Sequence, residues 1–132
     1  MKVYLAAQYS RRDELRIYAA YLRQHGVEVT SHWLEETANL NGDITDTVFA
    51  RSTAAIDIED IERADAILFF AEDPLVGIKR GGRHVEFGYA LALRKEIYTV
   101  GLLENVFHYL PTVTSFSKVE EALNYLVERN AN

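Results

Sequence analysis

The chain contains no cysteine, which excludes disulfides, thiolate metal sites and a cysteine nucleophile. Proline occurs only twice, and no stretch is rich enough in proline, glycine or serine to act as a linker. No apolar run is long enough to cross a bilayer. The opening Met1-Lys2-Val3-Tyr4-Leu5 reads as a strand rather than as a signal peptide, and the protein is read as cytoplasmic. Positive charge is short too: 14 Lys and Arg against 20 Asp and Glu leave a net charge of −6. That balance argues against a nucleic-acid polymer or an anionic membrane as partner. The four histidines show no ligand spacing, so neither a metal nor another cofactor is expected.

What is present is an ordinary globular composition, 48% apolar and 26% charged over 132 residues, the size of one domain. Strand patterns at 3–6, 27–33, 66–70, 97–101 and 113–116 alternate with helical ones. Leu15, Tyr18, Ala19 and Leu22 form an apolar stripe that Gly26 ends. Val119, Ala122, Leu123 and Leu126 form another. Ser10 with Asp13, and Ser117 with Glu120, predict capping boxes. A helix is expected over much of 47–63, and one carrying Glu86 to about Arg94. Residues 34–46, with an Asn41-Gly42-Asp43 turn, and the segment around Asp73-Pro74 read as loops. Residues 104–110 read as irregular or a single turn.

Strict alternation implies a single-domain, flavodoxin-like or Rossmann-like three-layer sandwich around a five-stranded parallel sheet. Ligands of such sheets sit beyond the carboxyl ends of the strands. That edge gathers residues 7–12, 31–36, 71–83 and 101–108.

The most informative stretch lies there: Arg80, Gly81 and Gly82 lead into a helix bearing Glu86. Glycines allow close backbone approach and a helix N-terminus favours negative charge, so Glu86 reads either as an ionised nucleophile or as a surface glutamate. Asp57, with Ala54, Ile61 and Ala64 at helical spacing, faces inward, where a carboxylate requires a partner or a chemical role. Glu59, Asp60 and Glu62 are expected to face solvent. The Tyr4 hydroxyl is either a core group or a partner for Glu86. Ser10, Arg11, Arg12, Lys79, Arg80 and Arg83 make two basic groups that suit either solvent or an anion such as a 5′-phosphate. His32 and Trp33 end the second strand, placed either to stack on a planar base or to pack. Asn105, Phe107, His108 and Tyr109 form a polar-aromatic segment after the fourth strand.

Taken in order, Val3-Tyr4-Leu5-Ala6-Ala7, Asp57 ahead of Ala64-Asp65, and Glu86-Phe87-Gly88-Tyr89-Ala90 resemble the nucleoside 2-deoxyribosyltransferase family and its relatives that hydrolyse nucleoside 5′-monophosphates. The resemblance implies that Glu86 attacks the anomeric carbon, that Asp57 handles the proton of the base, and that Tyr4 orients Glu86, as in a retaining glycosidase. It implies a nucleoside or nucleotide substrate and an acceptor base, bound by Ala7, Ser10, Arg11, Trp33, Arg80, Gly81 and Gly82. It also implies a homo-oligomer sharing active sites, with Asn105 and His108 in the segment donated to the neighbour.

Arg80 replaces the acidic residue that such transferases place six positions before the nucleophile, which suits a 5′-phosphate. Two other readings stand beside this one. Tyr9-Ser10-Arg11-Arg12-Asp13 resembles the opening of TIR-type NAD-cleaving domains, and the architecture also fits a non-catalytic flavodoxin-like nucleotide-binding module.

Overall fold

A computed structural model describes residues 1–35, 47–72, 75 and 80–132. The expected turn at Asn41-Gly42-Asp43, the Asp73-Pro74 loop and Lys79 lie outside the described residues. Five parallel strands form one sheet: β1 Lys2–Ala6, β2 Glu28–Val29, β3 Ala66–Phe70, β4 Glu96–Val100 and β5 Val113–Phe116. Their order is β2-β1-β3-β4-β5, so the direction of winding reverses between β1 and β3. Helices α1 (Arg12–Gln24) and α4 (Val119–Ala131) pack together on one face. Helices α2 (Thr47–Arg63) and α3 (Gly82–Ala92) pack together on the other.

The central strands are apolar on both sides because helices cover both faces. Val3, Leu5, Leu68, Phe69 and Phe70 are buried from end to end of β1 and β3. Leu15, Ala19 and Leu22 of α1 and Ala122, Leu123 and Leu126 of α4 supply the facing layer, as their spacing predicts. Gly26, at φ +86°, ends α1 in the left-handed conformation that glycine adopts without strain. Gly101, at φ +99°, has a stricter role. A Cβ there would come within 2.7 Å of the Ala71 Cβ, so only glycine lets the chain ends after β3 and β4 meet.

Three expectations are corrected. The strand predicted over 27–33 is only two residues long, and residues His32–Glu35 form a 3-10 turn. Side chains take over from the ladder: the Ser31 hydroxyl accepts the Leu5 N–H at 2.7 Å, and the Asp60 carboxylate accepts the His32 N–H at 2.8 Å. Ser10 does not cap α1. It lies in a 3-10 turn over Tyr9–Arg11, and α1 starts after Arg11 with no side-chain cap. Ser117 does not cap α4 either, since Lys118 holds the cap position, also without a side-chain bond. Acidic residues in both first turns (Asp13 and Glu14, Glu120 and Glu121) act instead on the helix dipole.

Candidate active site

Glu86 sits in the second turn of α3, and the buried Phe87 and Ala90 beside it seat the helix on the sheet. Its carboxylate oxygen Oε2 accepts a hydrogen bond from the hydroxyl of Tyr4, a fully buried residue of β1. Tyr4 pairs in register with Ile67 of β3, so its side chain rises at the winding reversal, on the face covered by α2 and α3. Strand, helix and hydroxyl together fix the direction in which Glu86 presents its free oxygen.

Asp57 enters from α2. It is half-buried, and its Oδ1 is out of contact with water and has no hydrogen-bond partner among the described residues. Asp57 and Glu86 lie close enough to repel one another. Burial first, and then the charge of Asp57, push the Glu86 carboxyl up to about 8, although the Tyr4 hydrogen bond pulls it down. Burial, followed by the nearby Asp60, pushes Asp57 up to about 7. Burial and then the two carboxylates drive the Tyr4 phenol well above its ordinary value. The expectation of a carboxylate kept ionised by a helix N-terminus is therefore corrected. Glu86 lies beyond the first turn, where the dipole fades, and desolvation outweighs it. Both carboxyls are thereby held toward their protonated forms.

Asp60 is a second correction. Expected at the surface, it is fully buried and accepts hydrogen bonds from the His32 N–H, from His32 Nδ1 and from Arg63, each at 2.8 Å. The signal was present in the sequence. Asp57, Asp60, Ile61 and Ala64 stand at i, i+3, i+4 and i+7 and mark one helical face, whereas Ala54, assigned to that face, is exposed. A small cavity of about 30 Å³ lies against this face, lined by His32, Trp33, Thr53, Ile56 and Asp57. A far larger depression of about 540 Å³ opens at the opposite, amino end of the strands. Its carboxylates Asp65 and Glu96 are taken up by the Lys2 N–H and by Arg129.

Other expected site residues are placed as follows. Trp33 is buried, donates its indole N–H to the Leu5 carbonyl at 2.8 Å and packs near Tyr9, so it is a core residue with one edge on the cavity. Ala7 and Ser10 follow β1 at the carboxyl edge, Ala7 half-buried and Ser10 exposed. Arg11 holds Glu14 through two nitrogens and the Ala71 carbonyl through a third. Arg80 is exposed at the mouth of α3. Gly81 caps that helix at φ +80°, and a Cβ on Gly81 or Gly82 would meet open space.

Arg83 is corrected from an anion ligand to a structural group. It is 7% exposed and makes two bonds to Glu104, at 2.6 and 2.8 Å, with Glu72 and the Phe70 carbonyl at 3.4 Å. Asn105 caps the 3-10 turn Val106–Tyr109 by accepting the Phe107 N–H. His108, expected to reach a neighbouring subunit, is 2% exposed. It packs against Phe69 and Phe87 of its own chain, with Nδ1 accepting the Glu104 N–H. Val106, Phe107 and Tyr109 are the exposed members of that turn.

Among the described residues no group of three or more histidines and acids is arranged to hold a metal ion, and no helix is long and apolar enough to cross a membrane. The family model for nucleoside 2-deoxyribosyltransferase matches residues 3–128, and the chain belongs to that family. Its fold is shared with two solved structures. One is a CMP N-glycosidase of Clostridium botulinum, at 22% identity over 96% of this chain and 98% of the other, with a TM-score of 0.62. The second is a 2-deoxyribosyltransferase of Bacillus psychrosaccharolyticus, at 21% identity over 95% and 92%, with a TM-score of 0.67. No curated protein sequence matches the chain.

Proposed function

We propose that this family member cleaves the N-glycosidic bond of (deoxy)nucleosides or their 5′-monophosphates and passes the sugar to another base or to water. Glu86 attacks C1′ as the bond to the base breaks, giving a glycosyl ester. Asp57 gives its proton to the departing base and later takes one from the acceptor. The observation that carries this reading is the triple placement of Tyr4, Glu86 and Asp57 at the winding reversal. One carboxyl is aimed by a buried phenol, and a second lies near it with an oxygen that has no hydrogen-bond partner among the described residues. Two carboxyls on one sugar, in an oxocarbenium-like transition state, are what double displacement at C1′ requires. The raised carboxyls also fit this chemistry: positive charge developing on the sugar favours the ionised form of Glu86, while Asp57 holds a proton to give to the base.

The 5′-monophosphate form is the preferred substrate in this reading. Support comes from the first turn of α3, which has no side-chain cap among the described residues and whose backbone N–H groups suit an anion. Arg83 gives no such support, because it is committed to Glu104. The test is to incubate the protein with matched nucleosides and 5′-monophosphates, with and without an acceptor base, and to separate the products. Base release that disappears in Glu86→Gln supports the proposal. Undiminished release in that variant ends it, and equal turnover with and without the phosphate ends the preference for nucleotides.

A further inference from the structure

Asp60 and His32 take no part in the steps above, yet they are built as a unit beside Asp57. Asp60 has no exposed surface, and both of its oxygens are engaged by His32: Oδ2 by the backbone N–H and Oδ1 by Nδ1. Such a contact fixes the Nδ1–H tautomer and the plane of the ring. It leaves Nε2 as the ring nitrogen without a hydrogen bond among the described residues. The His32 side chain is 65% exposed, yet it lines the cavity that Asp57 also lines. At about 30 Å³ that cavity is too small for a nucleobase but exceeds the 10–15 Å³ or so that one water needs. The Asp57 side chain contributes to one part of its lining and an imidazole open to solvent to another, with Thr53 and Ile56 of α2 completing it.

We infer that His32, held by Asp60, is a proton relay that reloads Asp57 from solvent through a water in this cavity. The inference rests on the proposed role of Asp57. In each turnover Asp57 gives its proton to the leaving base and becomes a carboxylate. His32 Nε2, which carries no proton in the resting Nδ1–H tautomer, first takes one from bulk water. The cavity water then passes a proton to Asp57 and takes that proton from Nε2, which returns the ring to its neutral form. When the acceptor loses a proton to Asp57, the same path runs in reverse. No bond to carbon is made or broken in the relay, and proton and charge balance at each transfer. The two ring nitrogens allow an imidazole to take a proton on one side and release it on the other, which a single carboxyl oxygen does not do. His32 is thus a positioning and relay residue acting through Asp57.

The test uses the full chain and two substrates that differ only in how well the base leaves, taken from whichever class the product analysis identifies. These are a purine and its N7-methylated form, or uracil and 5-fluorouracil derivatives. His32→Ala should lower kcat on the poor leaving group by about 10–100-fold. It should leave KM within about threefold and spare the good leaving group, and added imidazole should restore part of the rate. His32→Asn keeps a donor for Asp60 but carries no exchangeable ring proton, so it should behave like the alanine variant. Full activity in His32→Asn, equal losses on both substrates, or a rise in KM alone would overturn the relay. Those outcomes are distinct from failure of the proposed function, which would appear as undiminished base release in Glu86→Gln whatever residue 32 is.

Discussion

At the scale of single residues, the site is governed by where charge is tolerated. Glu86 and Asp57 have folded pKa values raised to about 8 and about 7, above those of an unfolded chain. The folded state therefore holds protons that the unfolded state has released, and stability falls as pH rises from about 4 through about 8. Glu86→Gln removes that penalty. It should unfold at the same denaturant concentration as the parent near pH 4, and be more stable by on the order of 2 kcal/mol above pH 8. Denaturation curves at the two pH values check the sign, and a variant less stable at both would contradict it. The pH profile of base release has its own sign. The Asp57 charge raises Glu86, so Asp57→Asn should move the ionisation of Glu86 below about 8. It should also remove the falling alkaline limb, because no second carboxyl remains to lose its proton. Tyr4→Phe acts the other way, since the lost hydrogen bond was lowering Glu86. Its rising limb should shift to higher pH, with a drop of about tenfold in rate.

At the scale of elements, the site depends on how α3 is anchored. Its first turn is tied to the chain after β4 by the buried pair of Arg83 and Glu104, and that chain is held in turn by the Glu104 N–H on His108. Removing one partner leaves a buried charge, so Glu104→Ala should cost about 3–5 kcal/mol in thermal or chemical unfolding, far more than a surface ion pair. Gly101→Ala should destabilise by about 2 kcal/mol or more, because the backbone is left-handed there and the added methyl meets Ala71. These elements also show what a sequence reveals. The apolar block 66–70 matches its strand to the residue, since a buried parallel strand carries its own signal; the edge strand 113–116 is marked instead by Val113 and Phe116 at its ends. β2 was overestimated because its last residues keep a strand composition while Ser31 and Asp60 replace the ladder through side chains. The serine caps failed for a related reason: each helix starts one residue later than the motif implies.

At the scale of the whole molecule, topology brings together what the sequence keeps apart. Tyr4 and Glu86 are 82 positions apart and share a hydrogen bond because β1 and β3 are neighbours at the winding reversal. The family pattern made the three positions legible, but not the burial that sets their protonation, nor the fates of Arg83 and His108, which only packing decides. Asp60 was legible from helical spacing and was misread as a solvent-facing acid among other acids. The exposed apolar side chains after β4, Leu102, Val106, Phe107 and Tyr109, flank the buried His108 and form the surface that a homo-oligomer of the kind the sequence resemblance implies would cover. Phe107→Asp should reduce the mass seen in sedimentation and lower activity together. A loss of activity with unchanged mass would detach this turn from assembly.

The central claim is that Glu86 forms the bond to the sugar. Quenching the reaction with acid within the first turnovers and digesting the protein should give the peptide that contains Glu86 heavier by one sugar, or sugar phosphate, residue. The added mass should be absent from Glu86→Gln and should disappear as an acceptor base is supplied. Base release with that peptide unmodified, or with the sugar on a different residue, would contradict the account.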